Sequence, residues 1–263
     1  MLRGKKLREL LEKLVKGQIS IGEAEKLLKI LAIEEVGNLA RIDVNREFRK
    51  GIPEVISAEG KTPEEVVEIA LSMLNEKGRA IISRTTKDQM SAIEKTASKD
   101  VLLKVNNKAR IAVIKKRGFK VKKSNGKVGI LTAGTSDIPV AEEARVIAEE
   151  MGCEVITAYD VGVAGIHRLF APLKEMLEKD VDVIIVVAGR EGALPSVVAG
   201  MVDVPIIAVP TSIGYGFGEK GTSALMAMLQ ACPLGLAVVN IDSGVAAGAV
   251  ATLIANRVAK FRE

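Results

Sequence analysis

Five short apolar segments in the second half of this 263-residue chain constrain its fold more than any other feature. They lack the polar alternation of a strand with one solvent-facing side, so each is predicted to be a strand buried on both faces. The predicted strands are Val128–Thr132, Glu154–Ala158, Val183–Val187, Pro205–Val209 and Leu236–Asn240. Helical periodicity lies between and after them, at about residues 139–151, 165–178, 193–201, 221–231 and 244–260. This alternation predicts an α/β fold with a doubly wound, flavodoxin-like parallel sheet of five strands over residues 127–263.

The first half of the chain is less regular and predicts a smaller helical and α+β domain over residues 1–120. Two amphipathic helices are expected first, the second opened by a capping box at Ser20 and Glu23. Thr62, Pro63 and Glu65 form another helix start. Further strands are predicted at Pro53–Ser57, Ala80–Ser83 and Arg110–Ile114, and further helices at residues 62–77 and 88–97. Residues 117–127 form a polar linker between the two domains.

Composition excludes several classes of protein. With 48% hydrophobic and 27% charged residues, the chain can bury a core and is not disordered as a whole. No apolar run reaches the roughly 18 uncharged residues of a membrane span, so no membrane partner is expected. Two cysteines are too few for a disulfide scaffold. The first sixteen residues are charged and do not resemble a secretory signal, so a cytoplasmic location is predicted.

The charge is divided unevenly along the chain. Residues 1–126 have a net charge of +11 and residues 127–263 a net charge of −6. A basic half is compatible with nucleic acid, with a solvated helical surface or with an anionic small substrate. Because the chain has two Tyr, five Phe and no Trp, the aromatic platforms that stack on bases are nearly absent, and we expect no nucleic-acid partner.

Ligands of a doubly wound sheet bind beyond the carboxyl ends of its strands, so the loops after the strands are the candidate site. Gly134, Thr135, Ser136 and Asp137 follow the first strand and lead into a helix. Small residues, hydroxyl groups and a helix N-terminus favour an anion there. The alternative is a plain helix cap by Ser136 or Asp137. The segment has neither a Walker ending nor the Gly-x-Gly-x-x-Gly pattern.

The loop after the second strand contains Tyr159, Asp160, His167 and Arg168. His167 is the single histidine of the chain, so a zinc site is not expected. A histidine at the start of a helix is either a binding residue or an ordinary surface or packing residue, and the sequence leaves both open.

The loop after the third strand contains Gly189, Arg190 and Glu191. Glu191 is a candidate acid/base group and Arg190 a candidate anion clamp; the alternative is a mutual surface ion pair. The loop after the fourth strand, Pro210–Gly221, includes Ser212 and is rich in glycine, which is typical of a mobile lid or a backbone-lined site.

Cys232 lies near the end of the following helix, just before a proline. Free cysteines are mostly inert, so its residue type alone does not decide between catalysis and packing. Cys153 lies where a helix meets the second strand, and packing explains it.

Taken together, these segments resemble the LarB family of the lactate racemase nickel-pincer cofactor pathway. The resemblance extends over nearly the whole chain, from Asp43–Pro53 (with Arg46, Arg49, Gly51 and Pro53), Gly60–Thr62 and Ser83–Arg84 to Thr132–Asp137, Ala188–Ser196, Pro210–Gly221, Cys232 and Asn240–Asp242.

The C-terminal domain of that family is similar to the purine-biosynthetic carboxylase PurE. Here Gly134–Asp137 resembles the PurE Gly-Ser-x-Ser-Asp loop, and His167-Arg168 resembles its Ala-His-Arg segment. PurE enzymes have a catalytic histidine just before Leu-Pro in the third loop, where this chain has Ala193. This difference argues against aminoimidazole ribonucleotide chemistry.

The LarB resemblance implies a carboxylase/hydrolase that acts on nicotinic acid adenine dinucleotide. The pyridinium ring is carboxylated at C5 with CO2 (or bicarbonate as its source), and the phosphoanhydride is cleaved to release AMP. The other product is pyridinium-3,5-biscarboxylic acid mononucleotide.

Our mechanistic hypothesis assigns covalent catalysis to Cys232, whose thiolate adds at ring C4 and makes C5 nucleophilic. Glu191 is the candidate for moving the C5 proton, with Asp137 as the alternative. The expected substrate-binding residues are Gly134, Thr135, Ser136, Tyr159, Asp160, His167, Arg168, Gly189, Arg190 and Ser212. The basic half of the chain is expected to help hold the phosphates.

No tightly bound cofactor is expected. Asp137 and Asp160 are candidate ligands for a Mg2+ ion on the diphosphate. Because PurE-like domains assemble as octamers, the resemblance also implies a homo-octamer. Three alternatives stay open: a PurE-like ribonucleotide carboxylase or mutase, a noncatalytic nucleotide sensor, and an RNA-binding module.

Overall fold

Two helices begin the chain in the structure, a computed structural model that describes residues 2–33, 47, 50–96 and 100–262. Helix α1 is Leu2–Val15 and helix α2 is Ile21–Ile33. Ser20 caps α2 as expected, because its hydroxyl accepts from the Glu23 N–H while the Glu23 carboxylate accepts from the Ser20 N–H at 2.8 Å. The chain forms two compact units, Met1–Glu54 and Val55–Glu263. The boundary near residue 120 stays a prediction. Most of the segment Asp43–Pro53, including Arg46 and Arg49, lies outside the described residues.

A four-stranded mixed sheet opens the second unit. Its elements are β1 Val55–Ser57, α3 Pro63–Lys77, β2 Arg79–Ser83, α4 Lys87–Thr96, β3 Val101–Asn106 and β4 Ile111–Lys116. The strand order is β1-β2-β4-β3, with β1 parallel to β2 and the other pairs antiparallel. The predicted start of α3 is confirmed, since Thr62 and Glu65 form a capping box. Strand β3 was not predicted: it is an edge strand of alternating exposure, and no turn signal sets it apart from the loop before it.

The remainder of the second unit is a five-stranded, all-parallel sheet. Its elements are β5 Lys127–Thr132, α5 Ile138–Glu150, β6 Glu154–Ala158, α6 His167–Glu178, β7 Val183–Ala188, α7 Leu194–Ala199, β8 Ile206–Pro210, α8 Thr222–Leu229, β9 Leu236–Val238 and α9 Gly244–Val258. The order β6-β5-β7-β8-β9 is that of a flavodoxin-like sheet, which confirms the predicted fold class.

Both faces of the parallel sheet are covered by helices, as its continuous apolar strands require. On one face α5 and α9 pack against the strands through small side chains; they are Ala141, Ala144, Ala148, Ala247, Ala251 and Ala255. On the other face α6, α7 and α8 bury larger residues, such as Leu169, Leu194 and Met228. Every residue of β7 is buried, because it lies at the centre of the sheet. None of the helices in the described ranges is long and apolar enough to cross a membrane.

A buried ion pair joins the two sheets. Arg79 at the start of β2 and Glu150 at the end of α5 are each 5% exposed, with the guanidinium 3.2 Å from the carboxylate. Lys115 of β4 approaches the same carboxylate at 2.6 Å. Arg79 also lies over the Phe119 ring, 5.2 Å from its centroid. Removing one partner of a buried ion pair is strongly destabilising, and both cations contact the same carboxylate, so the junction depends on Glu150.

Replacement of Glu150 by alanine is expected to lower the free energy of unfolding by about 3–5 kcal/mol, because Arg79 and Lys115 both lose the buried carboxylate that they contact. Glu149→Ala serves as the control, since Glu149 pairs with Lys104 and Arg145 at a more exposed position and should contribute no more than about 1–2 kcal/mol. Urea denaturation of both variants measures the difference. Equal losses would show that the buried pair does not hold the junction.

Candidate active site at the carboxyl edge of the parallel sheet

A cavity of about 290 Å³ lies at the carboxyl edge of the parallel sheet, between the loops that follow β5, β6, β7 and β8. We call it the first cavity. Its lining residues are Ala133, Gly134, Ser136, Asp137, Gly162, Val163, Ala164, Ala188, Gly189, Arg190, Glu191, Ala193, Leu194 and Ile213. Of the residues predicted from the sequence, the first cavity therefore brings together Gly134, Ser136, Asp137, Gly189, Arg190 and Glu191.

Asp137 connects three of the loops that form the first cavity. Its carboxylate accepts hydrogen bonds from the Thr211 hydroxyl at 2.7 Å and from the Gly134 N–H at 2.8 Å. The Gly189 N–H is a third donor to the same carboxylate. The side chain is buried. Sequence reasoning did not single out Thr211, because a threonine after a strand gives no signal of its own.

Burial raises the pKa of the Asp137 carboxyl above its usual value. The hydrogen bonds from Thr211, Gly134 and Gly189 oppose that shift, and the nearby charge of Asp242 adds to it. Asp137 is thus held in place by its donors while its charged form is penalised by the apolar surroundings. Such a group can either orient the loops or exchange a proton with a bound molecule.

Arg190 and Glu191 do not pair with each other. The Arg190 guanidinium instead donates to the Tyr215 hydroxyl at 2.8 Å and lies over the same ring, 4.7 Å from its centroid. This contact ties the loop after β7 to the glycine-rich loop after β8. The Glu191 side chain is exposed at the rim of the first cavity. Its carboxylate is therefore available to a molecule bound there.

Position 189 requires glycine because neighbouring atoms leave no room for a Cβ, not because of its backbone angles. A Cβ at this position would lie 2.4 Å from the Ile213 carbonyl oxygen and 2.6 Å from the Thr211 hydroxyl oxygen. Both distances are far below a normal van der Waals contact. Any side chain here would separate the two loops that close the first cavity.

Gly189→Ala is expected to lower the free energy of unfolding by about 1–3 kcal/mol, because the added methyl group forces these loops apart. The control is Gly214→Ala in the neighbouring loop, where a Cβ would lie 3.7 Å from its nearest neighbour. Chemical denaturation of both variants provides the comparison. An unchanged Gly189→Ala protein would contradict the close contact.

Several predicted binding residues do not line the first cavity. Tyr159 packs on the α5 and α9 side, where its hydroxyl donates to Glu142; burial and this carboxylate raise the pKa of the phenol. Asp160 forms an ion pair with Arg168. His167 is the exposed first residue of α6, and Thr135 is exposed in the short turn before Asp137.

Cys232 lies at the opposite edge of the sheet. It is exposed in the loop between α8 and β9. Gly235, at the end of this loop, accepts a hydrogen bond from the N–H of Ile206, the first residue of β8. The loop therefore lies where the strands begin. Strands of five or six residues, at about 3.3 Å each, separate the two edges by roughly 15–20 Å. The structure therefore does not bring Cys232 to the first cavity of its own chain.

The two aspartates suggested as Mg2+ ligands do not fit that role. Asp137 uses both oxygens to accept hydrogen bonds from Thr211 and Gly134, and Asp160 is paired with Arg168. Within the described ranges, no three His, Cys, Asp or Glu side chains are arranged to hold a metal ion. No step below depends on Mg2+.

A second cavity, of about 370 Å³, adjoins the first cavity and shares Ser136 and Ile213 with it. It is lined by loops of the four-stranded sheet and by the carboxyl edge of the parallel sheet. Its other lining residues are Glu59, Arg84, Lys108, Ala109, Arg110, Pro139, Val140, Glu143, Ser212 and Asp242. Ser212 is the predicted site residue found here. The sequence assigned no individual role to the other residues of the second cavity, although the positive charge of the first half predicted that it helps to hold phosphates.

In a flavodoxin-like sheet, a cavity of glycine, serine and carboxylate groups at the carboxyl edge is in the usual position of a ligand site. Comparison with known proteins identifies the family. The family model for the LarB/PurE-like N-terminal domain matches residues 33–117, and that for AIR carboxylase matches residues 127–262. The chain belongs to the LarB family, whose C-terminal domain is PurE-like, and it is therefore of carboxylase/mutase type.

Relatives agree with this assignment. An uncharacterized protein of Methanocaldococcus jannaschii is 50% identical over 254 residues, which cover 96% of this chain and 98% of that protein. The N5-carboxyaminoimidazole ribonucleotide mutase of Thermotoga maritima is 28% identical over 147 residues, covering 52% of this chain and 84% of the mutase. The corresponding mutase of M. jannaschii is 35% identical over 117 residues, covering 44% and 69%.

Proposed function

We propose that this protein carboxylates the pyridinium ring of nicotinic acid adenine dinucleotide at C5 and cleaves the dinucleotide to release AMP. The observation that carries this proposal is the composition of the first cavity. Ala193 lines it where PurE enzymes have their catalytic histidine, and the carboxylates present are Asp137 and Glu191. The single histidine, His167, is not among the lining residues. A carboxylate must therefore move the proton.

The ring needs activation before it can attack CO2, because a pyridinium is electron-poor. A thiolate that bonds to C4 sends an electron pair to the ring nitrogen and leaves C5 enamine-like. C5 then bonds to the carbon of CO2. When Glu191 takes the C5 proton, the released pair restores the aromatic ring and expels the thiolate. No external oxidant or reductant is required.

Groups that can bind an anion lie at the first cavity. Arg190 at the rim can pair with the nicotinate carboxylate or a phosphate, and its contact with Tyr215 limits its freedom. In the loop before α5, the backbone N–H groups of Thr135 and Ser136 can bind an anion, whereas those of Gly134 and Asp137 donate within the loop. Hydrogen bonds to the Asp137 carboxylate fix the conformation of that loop.

The nucleophile in this proposal is Cys232 of a second copy of the chain. The two edges of the sheet are roughly 15–20 Å apart, whereas bond formation needs contact at about 3–3.5 Å. Three exposed large apolar side chains lie close to it in the chain, namely Met226, Leu229 and Leu234. A group of exposed apolar residues, rather than a single one, is typical of a surface that another subunit covers. A homo-oligomer, expected to be an octamer, would bring the two edges together.

The first experiment supplies the purified protein with the dinucleotide and 13C-labelled bicarbonate as a CO2 source, followed by mass spectrometry. The expected result is AMP together with a mononucleotide that contains one labelled carboxyl group. Binding without turnover would favour the sensor, and consumption of aminoimidazole ribonucleotide would favour PurE-type chemistry.

Cys232→Ser is expected to lower carboxylation at least about 1,000-fold while dinucleotide binding is retained, because an alkoxide is far harder to form than a thiolate at neutral pH. Cys153→Ser is the matched control. Cys153 is buried, where its thiol donates to the Asn256 side chain at 3.3 Å, and burial raises its pKa, so it should not affect turnover. Normal turnover by Cys232→Ser would exclude the covalent route.

Mixed oligomers test the shared site directly. Cys232→Ser and Glu191→Gln subunits are each expected to be inactive alone. Co-assembled at equal ratio, they should regain about a quarter of wild-type turnover, since one site in four then receives an intact thiol and an intact carboxylate from different copies. No recovery in verified mixed oligomers would show that both groups come from the same chain.

A further inference from the structure

The second cavity lies next to the first. Ser136 and Ile213 line both, so a long ligand could place one part in each cavity. Volumes of about 290 Å³ and 370 Å³ are each in the range of small-ligand sites. Two adjacent cavities of this size suit an extended ligand better than a compact one.

Basic side chains from the four-stranded sheet face the second cavity. Arg84 follows β2, and Lys108 and Arg110 precede β4. Arg84 is paired with Glu59 at 3.1 Å and donates to the Asp242 carbonyl, while Arg110 donates to the Thr85 and Arg84 carbonyls. Lys108 makes no hydrogen bond or ion pair with the part of the chain that the structure describes. Its ammonium group is therefore available to an anionic ligand.

The backbone at this cavity is held in an unusual conformation. Arg84, Arg110 and Asp242 have φ values of 58°, 52° and 54°, in the left-handed region that non-glycine residues rarely adopt. Residues of this kind persist where the surrounding structure holds them, and they concentrate at binding sites.

Glu143 is a buried carboxylate in the wall of the second cavity. It lies on α5 against the start of α9, where it accepts a hydrogen bond from the Val245 N–H. A Cβ on Gly244 would lie 2.2 Å from the Val140 carbonyl oxygen and 2.8 Å from the Glu143 Cβ, so only glycine allows α9 to pack this closely beside Glu143. The charges that act on it are Arg84 and Arg110, which favour its ionised form, and Asp242, which opposes it.

We propose that the second cavity binds the diphosphate of the dinucleotide and that Glu143 activates the water molecule that cleaves it. This inference rests on the proposed function, because it assigns the hydrolytic half of that reaction to a place in the fold. Lys108, Arg84 and Arg110 contact the phosphate oxygens. The nicotinate end occupies the first cavity.

The chemical step balances without a further reactant. The water oxygen bonds to one phosphorus, the bond from that phosphorus to the bridging oxygen breaks, and the bridging oxygen leaves on the other phosphate. Glu143 takes the proton released by the water. Burial raises the pKa of Glu143 to about 7, which makes it a stronger base than an exposed carboxylate. Both products are phosphomonoesters, one of them AMP.

Glu143→Gln separates the two half-reactions. With the dinucleotide and labelled bicarbonate, AMP release should fall at least 100-fold while label incorporation stays within fivefold of wild type, so the carboxylated dinucleotide accumulates. Glu149→Gln, on the same helix and outside both cavities, should release AMP normally. AMP release at the wild-type rate by Glu143→Gln would overturn the role of Glu143 and leave the proposed function intact. Inactive wild-type protein would overturn both.

The accumulated carboxylated dinucleotide then serves as a substrate that needs no carboxylation. Wild type and Cys232→Ser should both hydrolyse it, at a rate that rises with pH through about 7 as the Glu143 carboxyl ionises. The corresponding rise should be absent in Glu143→Gln. A pH profile that is the same in all three proteins would contradict the assignment.

The phosphate contact has its own test, which does not depend on the folding of a core variant. Lys108→Ala is expected to raise the KM for the dinucleotide at least fivefold, with kcat little changed. Lys116→Ala is the matched control, since Lys116 contacts the Asn75 carbonyl away from both cavities. Equal KM values for the two variants would show that the diphosphate is bound elsewhere.

Discussion

One buried carboxylate organises the candidate active site. Asp137 accepts from the Thr211 hydroxyl and from the N–H groups of Gly134 and Gly189, so the loops after three adjacent strands depend on it. Those strands lie side by side in the parallel sheet, which is why one side chain can reach all three loops. These hydrogen bonds determine the shape of the first cavity and the position of its rim, where Arg190 and Glu191 lie.

The fold was largely predictable from the sequence, because a sheet buried on both faces produces short, continuous apolar segments that alternate regularly with helices. The site was predictable only in part. Glycines and charged residues directly after strands identified Gly189, Arg190 and Glu191, which share one cavity. Glu143 gave no such signal, since it lies within a helix and its surroundings come from the start of α9, about a hundred residues later.

Cys232 shows a different limit of sequence reasoning. The sequence indicates which residues end strands, and hence which share an edge, but a residue between a helix and the next strand lies at the other edge. A single chain then presents its thiol and its cavity on opposite sides. The proposed assembly reconciles the two, and the exposed apolar residues Met226, Leu229 and Leu234, in this loop and at the end of the helix before it, offer a surface for it.

Helix α5 is fixed at both ends and in the middle. Asp137 precedes it, Glu143 faces the second cavity, and Glu150 at its end is held by Arg79 and Lys115. One inserted or deleted residue would rotate the following part of the helix by about 100° and shift it by about 1.5 Å. No single change of length could keep all three carboxylates in place. Evolution of this segment is therefore restricted to substitutions, and changes of chain length are left to the loops at its two ends.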